Sequence, residues 1–173
     1  MNNLVALCGY AQVGKDTAAK ILSEFSYYRV AFADSLKEDL RGFILTHYGL
    51  DVDRVEGKEK EMIRPMLVAH GRIKREMNPN HWVDLAETRM SLIKSIGAAD
   101  RFVISDLRYP NEAKRVKELG GEVWLVVRTG FHPANEEERA SISDIVEAKL
   151  YDRFIDNSGS MASLNKQIEE AIK

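Results

Sequence analysis

The strongest constraint on this chain is a loop between two glycines that directly follows an apolar run near its start. Residues 4–8, Leu-Val-Ala-Leu-Cys, have strand length, and the chain continues Gly9-Tyr10-Ala11-Gln12-Val13-Gly14-Lys15-Asp16-Thr17. Glycines at both ends of such a loop let the backbone turn so that successive N–H groups face one anion, and a following helix adds its positive N-terminal end. The sequence therefore predicts a strand, an anion-binding loop and a helix, in that order.

This phosphate loop, residues 9–17, follows the pattern G-x-x-x-x-G-K-[ST] with one departure. In that pattern the lysine, here Lys15, reaches the β- and γ-phosphates of a nucleotide, and the final hydroxyl contacts Mg²⁺. Asp16 replaces the hydroxyl residue, and a hydroxyl follows at Thr17. Two interpretations of Asp16 stay open: a direct or water-mediated ligand of Mg²⁺, or an acidic residue that complements the helix dipole.

Composition and charge limit the classes of function. The 173 residues are 45% hydrophobic and 30% charged, which is typical of one compact domain. A formal charge of -2 gives no global basic field for nucleic acid. We expect no structural metal, because the chain has a single cysteine and its four histidines show no ligand-pair spacing. We expect a cytoplasmic protein, because one cysteine suits a reducing compartment and the sequence shows no signal peptide or membrane-spanning run.

Short apolar runs alternate with segments of helical spacing. The runs are residues 4–8, 28–32, 102–105, 123–127 and 154–155, and the clearest are nearly continuous, as in strands buried on both faces of a parallel sheet. The helical segments are residues 15–25, 35–48, 110–119 and 164–173. Because crossovers between parallel strands are right-handed, this alternation predicts an α/β fold with a five-stranded, mainly parallel sheet and helices on both faces.

Two segments depart from this alternation. Residues 51–99 contain no convincing strand but show helix-like patterns over 64–77 and 81–96, which predicts a helical insertion beside the sheet. Residues 129–141 follow the fourth apolar run and contain a glycine, a proline and three consecutive glutamates, so we expect a short, mobile lid there. The prediction is one domain, residues 1–173, that carries both additions.

The remaining sequence narrows the class of phosphate-loop protein. A switch GTPase needs an N-K-x-D motif, but the Asn-Lys pair at 165–166 lacks the aspartate, and the segment Asp-Leu-Arg-Tyr at 106–109 lacks the glycine of a D-x-x-G switch. Motor and helicase ATPases need a longer chain. A small kinase remains, and such an enzyme requires arginines from several loops to neutralise two phosphorylated substrates.

Charged residues stand where the predicted strands end, which is the edge at which open α/β sheets bind ligands. Asp106 and Arg108 follow the third run, Arg128 follows the fourth, and Asp34 follows the second. Asp34 is therefore a candidate to orient an acceptor or take its proton. The alternative is that Asp34 or Ser35 caps the next helix.

Other basic and aromatic residues have two interpretations each. Arg41, Arg64, Arg72 and Arg75 lie on or beside the predicted insertion, where they can bind phosphate or, for Arg72 and Arg75, form a solvated helix face. Trp82 fills a core or stacks on a base, and core is favoured. For Arg139, a surface pair with Glu136 or Glu138 is favoured.

Together these segments resemble the bacteriophage deoxynucleoside monophosphate kinases, a branch of the P-loop nucleoside monophosphate kinase fold. The resemblance runs over most of the chain and rests on the order and spacing of its anchors. These are residues 9–17 with Gly-Lys-Asp-Thr, 32–37 (Phe-Ala-Asp-Ser-Leu-Lys), 64–71 followed by Arg75 and Trp82, 104–113, 120–121 with 127–128, and 155–160 (Ile-Asp-Asn-Ser-Gly-Ser).

The resemblance implies a P-loop transferase that uses ATP and Mg²⁺ to convert a deoxynucleoside monophosphate (dNMP) into the diphosphate, in the host cytoplasm if a phage encodes it. On this hypothesis ATP contacts Gly9, Ala11, Gln12, Val13, Gly14, Lys15, Asp16, Thr17 and Arg128, and Mg²⁺ is held by Asp16 or Thr17. The acceptor contacts Asp34, Lys37, Arg41, Arg64, Arg75, Trp82, Asp106 and Arg108. The catalytic residues are Lys15, Asp34, Arg108 and Arg128.

Two other functions stay open from the sequence. A kinase of another small acceptor, such as dephospho-coenzyme A or phosphomevalonate, resembles this arrangement of phosphate loop and acidic residue. A nucleotide-binding module without catalysis needs the loop but not the strand-end arginines. The accepted base and sugar, and whether the chain forms a homodimer, are also open.

Overall fold

The computed structural model describes residues 2–173, and its core is a five-stranded sheet. The strands are β1 (Leu4–Cys8), β2 (Tyr28–Val30), β3 (Phe102–Leu107), β4 (Glu122–Val127) and β5 (Arg153–Asp156). Their order is β2-β3-β1-β4-β5, and all four pairings are parallel. The predicted α/β fold with a five-stranded sheet is confirmed.

Seven helices accompany the sheet in the described part of the chain. They are α1 (Lys15–Glu24), α2 (Phe32–Tyr48), α3 (Gly57–Met77), α4 (His81–Ser95), α5 (Pro110–Glu118), α6 (Glu136–Glu147) and α7 (Met161–Ala171). None of these helices is both long and apolar enough to cross a membrane.

Two element boundaries differ from the predictions and change the setting of candidate site residues. β2 ends at Val30 and α2 begins at Phe32, so Asp34 lies in the first turn of a helix rather than in a loop after a strand. β3 runs to Leu107 and therefore includes Asp106. The β1–β3 register shifts by one residue between the Ala6 and Cys8 pairs, which gives β3 an extra residue that hydrophobic patterns do not reveal.

Successive side chains of the central strand, β1, point to opposite faces of the sheet. Val5 and Leu7 are fully buried in a cluster to which α1 and α7 contribute, for example through Leu22 and Ile168. Leu4 faces the opposite side, where it lies beside the α5 side chain Val116 at Gly121. Helices therefore cover both faces, which is why the strand is apolar at every position.

The chain divides into two compact units. The first contains the sheet and comprises the residues up to Ala31 together with Arg89–Lys173, and the second is Phe32–Thr88. The second unit has its own small core around Ile44, Val52 and Ile63, to which α2 and α3 both contribute. It begins earlier than the predicted insertion at 51–99, because α2 packs on α3. The sequence analysis did not predict this packing, since hydrophobic periodicity within a helix does not show which helix it contacts.

The predicted lid segment, residues 129–141, is partly helical. α6 begins at Glu136, and the side chain of its N-cap, Asn135, accepts a hydrogen bond from Glu138 N. Arg139 pairs with Glu136 at 3.5 Å on an exposed surface, as predicted. The second half of the segment is thus the first turns of a helix.

We expect Cys8, the one cysteine, to be chemically inert in the folded protein. Its side chain is fully buried at the end of β1, and burial raises the pKa of its thiol to about 12. At pH 8 roughly one thiol in ten thousand is then ionised, against about one in four for an exposed cysteine. Native protein should react with iodoacetamide at least about 1000-fold more slowly than protein in urea. Fast native labelling would contradict this placement.

Candidate functional site

The phosphate loop has the backbone that the two glycines predict. Gly9 has φ of 136° and Gly14 has φ of 101°, values in the left-handed region that favours glycine. A Cβ on Gly9 would stand 2.2 Å from the carbonyl oxygen of Val126, and one on Gly14 would stand 2.1 Å from Nδ2 of Asn157. The loop therefore requires glycine at both ends for conformation, and at Gly9 also for space, because the obstructing atom there is backbone.

The helix after the loop presents its N-terminus without a side-chain cap. α1 begins at Lys15, and its N-cap is Gly14, which has no side chain with which to accept a hydrogen bond from the first turn. Amides at such a helix start lack intrahelical partners and carry a partial positive charge. This geometry suits a phosphate group, as the sequence predicts.

Lys15 folds back over the loop. Its Nζ donates hydrogen bonds to the carbonyl oxygens of Gly9 and Tyr10, both at 2.7 Å. The pKa of Lys15 is lowered, mainly because burial disfavours the charged form and also because the Arg108 guanidinium is nearby, while Glu138 and Asp16 act in the opposite direction. The ammonium is thus held at the loop in a site where a phosphate charge would stabilise it further.

Two residues that sequence reasoning did not select hold the phosphate loop. The first is Asn157, which follows β5 and whose Nδ2 donates to the carbonyl oxygen of Val13 at 2.9 Å. The backbone N–H of Asn157 is itself fixed by a hydrogen bond to Val127 O at 2.8 Å. The one signal in the sequence is its place in the Ile-Asp-Asn-Ser-Gly-Ser segment, which supports the resemblance but predicts no contact.

The second residue is Glu138 of α6, which is only 7% exposed. Its Oε1 accepts a hydrogen bond from the backbone N–H of Ala11 at 3.0 Å, and its Oε2 accepts one from Ala134 N at 2.7 Å. Sequence reasoning considered Glu138 only as a surface partner of Arg139. No local signal distinguishes it from the two glutamates that precede it.

The predicted strand-end arginines lie in the first unit with the loop. Arg108 is exposed and follows β3, and its backbone N–H donates to Glu112, whose carboxylate also accepts from Tyr109 N at the start of α5. The positive charge of Arg108 contributes to the lowered pKa of Lys15. The guanidinium of Arg128 lies over the ring of Phe131, 5.0 Å from its centre, which directs it along the predicted lid segment.

The predicted acceptor residues other than Asp106 and Arg108 belong to the second unit; they are Asp34, Lys37, Arg41, Arg64, Arg75 and Trp82. Asp53 pairs with Arg41 at 2.6 Å and lies 4.0 Å from Lys37. Arg64 is exposed and 3.5 Å from Glu61. These basic groups are accessible but already have acidic neighbours.

Trp82 is a core residue of the second unit. Its side chain is 2% exposed, and its Nε1 donates to the carbonyl oxygen of Gly71 at 3.2 Å, which joins the start of α4 to α3. The His81 and Trp82 rings pack edge to face, with their centres 4.6 Å apart. This environment agrees with the favoured interpretation of Trp82 as core and leaves little of the ring for a base.

The chain is similar in sequence to two known proteins, and its fold is similar to that of a solved structure. No family model matches the chain. Dephospho-CoA kinase of Helicobacter pylori is 26% identical over all of this chain and 97% of its own length. A mimivirus protein with the provisional name deoxynucleotide monophosphate kinase is 25% identical, over 95% of this chain and 93% of its own.

The structural comparison agrees on the fold. Dephospho-CoA kinase from Campylobacter jejuni has a TM-score of 0.56 with 18% identity, covering 99% of this chain and 96% of the other. The fold is that of the P-loop kinases, and both sequence relatives are kinases by name. The chain is thus a homologue of P-loop kinases, and the two relatives differ in the acceptor that their names specify.

Proposed function

We propose that the protein transfers the γ-phosphoryl group of ATP to a deoxynucleoside monophosphate and releases the diphosphate and ADP. The observation that carries the proposal is the phosphate loop with Lys15 held over it and Arg108 beside it. The mimivirus relative, similar over 95% of the chain, supports this acceptor class. A module that only bound nucleotide would not need the arginines.

In the proposed mechanism the loop binds the phosphates of ATP through backbone amides. The N–H groups from Ala11 to Thr17 face the β- and γ-phosphates, and Lys15 exchanges its carbonyl partners for phosphate oxygens. The start of α1 suits Mg²⁺, since Asp16 is exposed and Thr17 half-buried there, and Mg²⁺ commonly takes one or two protein oxygens besides phosphates and water. The ion would neutralise charge on the β- and γ-phosphates.

Catalysis in this scheme is electrostatic. Phosphoryl transfer requires little covalent chemistry from the protein, so positioned cations supply most of the rate. Arg108, which already acts on Lys15, and Arg128 at the lid segment would stabilise charge on the transferred group and the acceptor phosphate. Neither arginine has to form a covalent bond.

The side chains proposed for the acceptor are basic groups for its phosphate and carboxylates that orient it. Arg41, Arg64 and Arg75 would hold its phosphate, with Lys37 adding charge. Asp34, half-buried in the first turn of α2, and Asp106, half-buried in β3, would orient it. To bind the ligand, Arg41 would have to break its salt bridge with Asp53. This salt bridge is exposed, so its loss has a small energetic cost.

Dephospho-CoA is the second candidate acceptor, because the Helicobacter pylori relative is similar over the entire chain. The two acceptors differ chemically. A monophosphate is largely ionised at neutral pH and attacks through an oxygen that has no proton to lose. Dephospho-CoA offers a ribose hydroxyl, whose proton must be taken by a base such as Asp34.

The test is a coupled ADP-release assay with the four dNMPs, the matching ribonucleotides and dephospho-CoA, combined with Asp34→Asn. If a dNMP is the acceptor, Asp34→Asn should lower kcat by about 10-fold or less, because only orientation is affected. If a hydroxyl is the acceptor, loss of the base should lower kcat by roughly 100-fold or more. Glu24→Gln, which changes an exposed carboxylate in the last turn of α1, is the control.

The outcomes of this assay separate the candidates. Turnover with a dNMP and none with dephospho-CoA supports the proposal, and the reverse pattern rejects it in favour of the second candidate. Activity on ribonucleotides alone rejects the deoxy preference and keeps the reaction. ATP binding without ADP release on any acceptor would show a binding module.

A further inference from the structure

The carboxylate of Glu138 joins the phosphate loop to the start of α6. One oxygen accepts from Ala11 N and the other from Ala134 N, so a single buried side chain bridges two backbone segments. Ala11 and Glu138 are 127 positions apart in the sequence. The contact is therefore a tertiary feature of the sheet-containing unit and not a local helix cap.

The position of this carboxylate is that of an anion bound to the loop. Ala11 is the first of the amides that the proposed mechanism assigns to the phosphates of ATP. A carboxylate oxygen and a phosphate oxygen are both anionic acceptors and bind backbone N–H groups at similar distances. Glu138 also acts electrostatically on Lys15, raising its pKa against the effect of burial. Glu138 therefore interacts with both groups that a phosphate would contact, the backbone N–H of Ala11 and the ammonium of Lys15.

Glu138 is distinct from the glutamates beside it. Glu136 is exposed and pairs with Arg139 at 3.5 Å, and Glu137 accepts a hydrogen bond from the hydroxyl of Tyr109 at 2.6 Å. Of these three consecutive acids, Glu138 is the one that is buried and bound to the phosphate loop. Burial of a carboxylate needs such compensation, which explains why both oxygens have backbone donors.

We propose that Glu138 is an internal competitor of nucleotide phosphate: its carboxylate binds the amide of Ala11 in place of a phosphate oxygen and must leave when ATP binds. Because Oε2 also holds Ala134, its departure releases the segment before α6. Nucleotide binding and the position of this segment are then coupled, and by linkage each biases the other. The inference rests on the nucleotide-binding part of the proposed function.

The test is the affinity for ATP and for pyrophosphate of Glu138→Gln, measured by isothermal titration calorimetry. Glutamine keeps the size of the side chain but removes its charge, and its amide group cannot accept from both backbone donors. Because charge-assisted hydrogen bonds are the strong ones, we expect the Kd of both ligands to fall by about 10-fold. Pyrophosphate is included because it has neither base nor sugar, so its response isolates the phosphate site.

Two further variants complete the design. Glu138→Ala removes the carboxylate altogether and should change both Kd values in the same direction, which guards against an effect peculiar to glutamine. Glu136→Gln removes one charge from the same turn of α6 and should leave both Kd values unchanged. A general effect of net charge on polyanion binding would appear in all three variants alike.

Each outcome decides the inference. Tighter binding in both Glu138 variants and not in Glu136→Gln supports it. Equal or weaker binding in folded Glu138 variants, with the wild type binding normally, overturns it alone and gives Glu138 a structural or ligand-holding role. If folded wild type and variants bind neither ATP nor pyrophosphate, the proposed nucleotide site fails and this inference fails with it.

Discussion

Replacement of Lys15 by methionine is expected to lower kcat/KM for ATP by about 100- to 1000-fold, the largest effect on activity that we predict. Methionine keeps much of the side-chain volume and removes the charge. The lysine is well placed for this role, since its Nζ lies 2.7 Å from two loop carbonyls and can turn from them to the β- and γ-phosphates. The steady-state ADP-release assay, with ATP varied at saturating dGMP, measures the change.

The control for this prediction is Lys20→Met. Lys20 lies on α1 like Lys15 but is exposed, so its loss should alter kcat and KM by less than about twofold. A fall in kcat at saturating ATP shows that Lys15 acts on the transferred group, whereas a rise in KM alone shows that it only holds ATP. Wild-type turnover by Lys15→Met would refute the proposed mechanism.

Gly9→Ala is expected to destabilise the fold by about 3 kcal/mol, the largest effect on stability that we predict. The new Cβ would lie 2.2 Å from the carbonyl oxygen of Val126, and φ of 136° disfavours any L side chain. The obstructing atom is backbone in the central sheet and cannot move aside as a side chain would. Urea denaturation, or a fall of about 10 °C in Tm, measures the loss.

A second glycine gives a control of opposite sign. Gly42 lies inside α2, and a Cβ there would meet nothing within 4 Å. Gly42→Ala should therefore stabilise its helix by roughly 0.5–1 kcal/mol, because alanine loses less backbone freedom on folding. If both alanine variants shifted stability equally, the close approach of the phosphate loop to β4 would not be what requires Gly9.

The phosphate loop and the sheet could be predicted from the sequence because each is marked by a short, local pattern of residues. A continuous apolar run marks a strand covered on both faces, and two glycines with a lysine mark the turn and its anion. The start of α2 was missed by three residues, since Phe32 and Ala33 suit the buried end of a strand as well as the first turn of a helix. Only packing separates these alternatives.

The sequence by itself determined the α/β class and the position of the phosphate loop, and it predicted the roles proposed for Lys15 and Arg108. Only the tertiary structure decided which residues hold that loop, because Asn157 and Glu138 meet it across 144 and 127 positions of chain. Their identities, an asparagine after a strand and the last of three glutamates, are ordinary in the sequence. A hydrogen bond depends on where the fold carries two atoms, and no pattern of neighbouring residues contains that distance.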